Sequence, residues 1–192
     1  MRFGCRMCKP RSPGFQCIAA IIGWFLRTGA IILKPQKCNG RCKRIMYKHI
    51  LIPTDGSELS LKAVQHGILL AKAVGAKVTS ITVVSSVLLF SLAPDKLKDP
   101  SEEWGYKPEL ESFAHKCLDQ VKSVALEEGV TCNVMYVEHD HPYQAIIEAA
   151  TNEHCDLIVM ASHGRGGLSA VVLGSQTVKV LTHSTIPVLV CR

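Results

Sequence analysis

Leu157-Ile158-Val159-Met160-Ala161 runs directly into Ser162-His163-Gly164-Arg165-Gly166-Gly167, and Leu173-Gly174-Ser175 follows shortly after. Five consecutive apolar residues without alternation suit a central strand covered on both faces, as in a parallel sheet flanked by helices. The glycines let the backbone turn tightly where that strand ends, and Ser175-Gln176-Thr177 opens a short helix.

Working back from this stretch, the same rhythm recurs. Ile50-Leu51-Ile52 is a short apolar run stopped by the turn cluster Pro53-Thr54-Asp55-Gly56. Ser57 is placed to cap a helix carrying Leu61, Val64, Ile68 and Ala71 at helical spacing, with Gly75 as its stop. Lys77 to Val84 is rich in β-branched residues and reads as a strand. Residues 85–106 break the rhythm with Pro94, Pro100 and Gly105, as a lid or excursion would. A second helix follows, with Leu110, Phe113, Cys117, Val121 and Val124 on one face and Gly129 at its end. Val130, Cys132, Val134 and Tyr136 alternate with polar neighbours, the pattern of an edge strand with one solvated face. Pro142 opens a third helix, and Val188-Leu189-Val190 forms a last strand. Strands alternating with helices predict a doubly wound α/β domain with about five parallel strands and helices on both faces.

The chain has 192 residues, with 22 Lys and Arg against 16 Asp and Glu, a formal net charge of +6. That balance belongs to the first 45 residues, which hold ten bases and no acid. Residues 46–192 keep the remaining 12 bases and all 16 acids, a net charge of −4, and offer no basic surface for nucleic acid. Cysteine divides the same way: Cys5, Cys8, Cys17, Cys38 and Cys42 precede residue 46, and four scattered cysteines follow it. The later four have no framework spacing, so the main body is expected in a reducing, cytoplasmic compartment with Cys132 and Cys155 as core thiols. The apolar runs Phe15–Leu26 and Ala30–Leu33 are each short of the ~20 residues a membrane span needs, and Arg27 separates them. We therefore expect two units: residues 1–45, a basic Cys-rich extension without structure (a targeting segment or an over-extended start), and residues 46–192, the domain. Cys5-x-x-Cys8 and Cys38-x-x-x-Cys42 could supply four zinc thiolates, but the 29 residues between them are long for a compact zinc module.

In doubly wound sheets, ligands sit beyond the carboxyl ends of strands where the strand order reverses. Two loops qualify, Pro53-Thr54-Asp55-Gly56-Ser57 and Ala161 to Gly167. Gly164, Gly166 and Gly167 would let backbone amides approach an anion, and the helix start at Ser175, Gln176 and Thr177 adds unpaired N–H groups. Arg165 would add a cation. A plain chain-reversing turn stays open on chemistry alone. The loop is neither a Walker A sequence nor the dinucleotide fingerprint, since Ser169 stands where the third glycine belongs. His163 lacks a carboxylate placed beside it by the sequence, which favours binding over catalysis. Glu138-His139-Asp140-His141 reads as a solvated strand-to-helix loop rather than a metal cluster.

Residues 46–192 resemble the universal stress proteins of the UspA-like superfamily. The resemblance rests on Ile52-Pro53-Thr54-Asp55-Gly56-Ser57, on Asp156 to Met160, on Ile186-Pro187-Val188-Leu189-Val190, and on one spaced pattern. ATP-binding members carry Gly-x-x-Gly, nine residues, then Gly-Ser or Gly-Thr; here Ala161-Ser162-His163-Gly164 is followed by nine residues and Gly174-Ser175. The resemblance implies a Rossmann-like sheet of order 3-2-1-4-5, of the adenine-nucleotide alpha-hydrolase-like type, in a stress-response protein. It implies ATP as ligand, with Mg2+ or a similar cation carried beside it; on its chemistry Asp55 could assist such a cation, bond the ribose or tie a backbone turn. Pro53, Thr54, Asp55 and Val83 would line the adenine and ribose pocket; Ala161 to Gly167 and Gly174 to Thr177 would hold the triphosphate. Alanine at position 161 departs from the pattern and matters if that position requires positive φ. The resemblance further implies a homodimer paired through the exposed last strand. Two alternatives accompany this reading: a member acting through protein contacts without nucleotide, and a slow ATP hydrolase or phosphotransferase.

Overall fold

A computed structural model describes residues 31–33, 47–85, 107–165 and 173–192. The described elements are β1 (Ile31–Leu33), β2 (His49–Pro53), α1 (Glu58–Val74), β3 (Lys77–Val84), α2 (Lys107–Glu128), β4 (Cys132–Glu138), α3 (Pro142–Asn152), β5 (Leu157–Ala161), α4 (Ser175–His183) and β6 (Val188–Cys191). The sheet order is β4-β3-β2-β5-β6-β1. Counted from β2, its five parallel strands have the expected order 3-2-1-4-5.

Alternation along the central strands sorts the core into two layers. Ile50 and Ile52 face one side, where Val64, Ile68 and Ala71 of α1 and Val121 of α2 cover them. Leu51 and Ile158 face the other side, against Ile146 and Ala150 of α3 and Val180 of α4. Every residue of β2, β5 and β6 is buried, as the unbroken apolar runs require, whereas β4 has only β3 as a neighbour and is half-exposed. α1 begins where Ser57 Oγ accepts the Ser60 N–H at 3.2 Å and ends at Gly75, whose φ of +73° is the left-handed stop.

One edge differs from expectation. Residues 31–33, read from the sequence within an extension lacking structure, form a strand antiparallel to β6, with Ile32 opposite Leu189. The last strand therefore does not present a bare edge to a second copy, because this chain already satisfies that edge's backbone groups. Removing residues 1–45 is expected to expose β6 and produce concentration-dependent association that the full chain lacks. Light scattering after size-exclusion chromatography of both chains checks this, and identical monomeric masses would refute it.

Burial pushes the Cys132 and Cys191 thiols up to about 11 and the Cys155 thiol up to about 12, so all three stay protonated and unreactive near neutral pH. His49 is buried at the start of β2 with Nε2 2.8 Å from Thr79 Oγ1. Burial first, and then the charge of Lys77, lower its pKa from 6.5; burial lowers that of His66 as well. The unfolded chain thus takes up protons that the folded chain resists, so stability is full above pH 6.5 and falls as pH drops below it. Thermal melting between pH 7.5 and 5 should show this loss, and a His49→Gln variant should show a smaller one.

Candidate functional site

The strand order reverses between β2 and β5, and the loops leaving their carboxyl ends diverge there around a cavity of about 420 Å³. That volume lies within the range of small-molecule pockets, roughly 300–1,000 Å³. Twelve residues expected at the site line it: Pro53, Thr54, Asp55 and Val83 on one side, and Ala161, His163, Gly164, Arg165, Gly174, Ser175, Gln176 and Thr177 on the other. Gly166 and Gly167 lie outside the described residues.

The first loop is tied down by its own side chains. Thr54 Oγ1 accepts the Gly56 N–H at 3.2 Å and pairs with Ser60 Oγ at 3.1 Å, while the Thr54 N–H donates to Ile81 O. Asp55 joins this loop to the second one. Its Oδ1 accepts the Ser57 N–H at 3.1 Å and its Oδ2 accepts the Arg165 N–H at 2.9 Å. Arg165 Nε in turn donates to the Asp55 carbonyl at 3.0 Å. One carboxylate oxygen thus ties down its own loop and the other braces it to the second. No cluster of three metal-ligating side chains occurs among the described residues. The backbone N–H of Arg165, a residue of the loop expected to hold the triphosphate, is committed to Asp55.

Two glycines of the second loop sit where a side chain would crowd its neighbours. A Cβ on Gly164 would lie 2.5 Å from Asp55 Oδ2, and one on Gly174 would lie 3.2 Å from the Ser162 carbonyl. Among the described non-glycine residues, only His154 has positive φ. Ala161 therefore occupies the first glycine position of the pattern with an ordinary strand backbone, and its methyl group introduces no backbone strain.

Two other expectations change. Ser162 is buried behind the cavity wall and does not line it: its N–H donates to Cys191 O, its carbonyl accepts the Gly174 N–H, and its Oγ lies 3.0 Å from His163 Nδ1. Thr177 is also buried, and its hydroxyl donates to Ala161 O at 3.0 Å, so it anchors α4 to the end of β5. What remains for an anion is the start of α4. Gly174 occupies the cap position without a side-chain bond, Ser175 is exposed, and Val178 is the first residue whose N–H returns to Gly174 O. The N–H groups ahead of it carry the positive end of the helix dipole into the cavity. His163 Nε2 is buried without a hydrogen-bond partner among the described residues.

Sequence reasoning missed several lining residues. Ile81, Ile146 and Met160 make the cavity's inner wall apolar, Pro142 brings in the start of α3, and Phe113 reaches in from α2. Pro142 carried a signal, since it opens a helix at the carboxyl end of a strand, where ligands gather. Phe113 carried none beyond its helical spacing.

The sequence pattern of the universal stress protein family matches residues 46–192. The chain belongs to the universal stress protein family. The universal stress protein MJ0531 of Methanocaldococcus jannaschii is 37% identical over 149 residues, which cover 77% of this chain and 83% of that protein. Among solved structures, the MJ0577 protein of the same organism superposes with a TM-score of 0.65 at 29% identity, covering 77% of this chain and 96% of that one. A universal stress protein solved in complex with cAMP superposes with a TM-score of 0.56 at 25% identity, covering 77% and 98%. The family match begins at residue 46, so the residue 31–33 strand that covers β6 lies outside the shared domain.

No helix among the described residues is long and apolar enough to cross a membrane. Residues 138–141 turn from β4 into α3, with His139 Nδ1 accepting the His141 N–H at 2.9 Å.

Proposed function

We propose that this universal stress protein binds ATP in the cavity between β2 and β5 and acts as a cytoplasmic stress-response regulator whose signal is the bound nucleotide. The observation that carries this is the joining of an apolar pocket to an uncapped helix N-terminus across a loop drawn in by Gly164 and Gly174. The adenine ring would lie against Val83, Ile81, Ile146 and Met160, where burial of its faces is favourable. The phosphates would meet the N–H groups of Ser175 and Gln176, the Ser175 hydroxyl, and His163 Nε2, which lacks a partner among the described residues. A divalent cation arriving with ATP would be held by the phosphates themselves, because Asp55 is occupied as a brace. The relative solved with cAMP supports an adenine nucleotide as the ligand class.

Binding is proposed in preference to turnover. Among the described residues, His163 has the Ser162 hydroxyl and no carboxylate as its side-chain partner, which favours binding over activation of water. Extraction of nucleotide from the purified chain, followed by an assay of phosphate release, tests both parts. Bound adenine nucleotide with negligible phosphate release is expected. A chain that takes up no ATP at millimolar concentration would refute the proposal, and turnover abolished by His163→Ala would replace binding by hydrolysis.

A further inference from the structure

Arg165 follows the last described glycine of the loop and is exposed, yet its side chain is fixed on three sides. Its own N–H is bonded to Asp55 Oδ2, and its Nε is bonded to the Asp55 carbonyl. The guanidinium carbon lies 4.2 Å from the centre of the Phe113 ring. Nη2 lies against the bare backbone of Gly56, 3.7 Å from where a Cβ would stand. Phe113 belongs to α2, and its ring lines the same cavity.

We propose that Phe113 is a positioning residue for phosphate recognition, holding the Arg165 guanidinium flat at the cavity mouth so that its terminal nitrogens meet the outer phosphates of the nucleotide. The inference rests on the nucleotide reading above and extends it to a residue on a different element. The chemistry follows from the shape of the group. A guanidinium offers its donors in one plane, and it matches phosphate oxygens two at a time only when that plane is set. A free arginine side chain loses several rotatable bonds when it is ordered on a ligand. Here Nε is already spent on Asp55 O, while Nη1 and Nη2 have no hydrogen-bond partner among the described residues. The guanidinium carbon stands over the Phe113 ring, which offers no lone-pair acceptor to compete for those donors. Asp55 holds the stem, Phe113 packs under the head, and among the described residues no acceptor takes the terminal nitrogens.

The test compares adenosine, AMP and ATP by calorimetric titration of the full chain carrying Phe113→Leu, Phe113→Tyr, Arg165→Ala, or Phe113→Leu with Arg165→Ala. Phe113→Leu should weaken ATP by roughly 2- to 5-fold more than it weakens adenosine, the difference expected for an exposed cation–ring contact. Phe113→Tyr keeps a ring and should bind ATP as the parent does. In the Arg165→Ala background, Phe113→Leu should cost nothing further, since the two residues act through one contact. Equal weakening of adenosine and ATP by Phe113→Leu would make the ring a plain wall of the pocket and overturn the inference while leaving nucleotide binding intact. So would additive losses in the double variant. Failure of the parent chain to bind any of the three ligands would overturn the nucleotide reading and this inference with it.

Discussion

Replacing Ser175 by Asp is expected to remove most ATP affinity while leaving the domain as stable as before, or slightly more so. The two effects have opposite signs because they concern the same helix end. An acidic side chain in the first turn of α4 interacts favourably with the helix dipole, by about 0.3–1 kcal/mol at an exposed position. The same carboxylate would stand where the phosphates bind. Two like charges about 4 Å apart repel by about 1 kcal/mol in water and about 4 kcal/mol near a protein surface, a loss of roughly 5- to 800-fold in affinity. Melting curves and ATP titrations of the Ser175→Asp variant check the two arms separately. Unchanged ATP affinity would mean that the phosphates do not use this helix end. A large drop in melting temperature would mean that Ser175 has a structural role the geometry does not show.

The second large effect concerns the loop rather than the ligand. Gly56 has a φ of +73°, and a Cβ there would lie 2.5 Å from Cys117 Sγ on α2. Gly56→Ala therefore incurs two costs. The left-handed backbone costs an alanine about 1–2 kcal/mol, and forcing a methyl group against the thiol costs about 1–3 kcal/mol. A combined loss of about 2–5 kcal/mol should lower the melting temperature of a domain this size by roughly 5–20 °C. Combining Gly56→Ala with Cys117→Ala should recover the steric part and leave the backbone part. Gly56→Ala melting like the parent would contradict the placement of the loop over α2.

The sheet was legible because its strands are unbroken apolar runs. Val159 and Ile158 alternate faces within Leu157–Ala161, yet both faces are covered, and that burial appears in sequence as the absence of polar residues. Gly75 and Ser57 were legible as helix ends because capping chemistry is local. The site was legible as a pair of loops and less so in its internal division of labour. Asp55, Ser162 and Thr177 look like ligand-binding groups in sequence, since a polar side chain in a binding loop and one bracing that loop are chemically the same. Long-range partners decide between them: Arg165 for Asp55, Cys191 and Gly174 for Ser162, and Ala161 for Thr177. Phe113 was assigned to a helix face correctly, but helical spacing does not tell a residue facing the core from one facing a cavity beyond the core's end. The strand at Ile31–Leu33 was hidden for a similar reason, because its pairing partner lies more than 150 residues away at Val188–Val190. The need for glycine at position 164 was legible, but its cause was not. It comes from the Asp55 carboxylate beside it and not from the glycine's own backbone angles.

The central claim is that a cavity at the β2–β5 reversal binds a nucleotide by its phosphates as well as its base. Calorimetric titration of the full chain with ATP and, separately, with adenosine tests it most directly. The account predicts saturable binding of both ligands, with ATP the tighter. Adenosine binding as tightly as ATP, or no heat of binding from ATP at millimolar concentration, would contradict it.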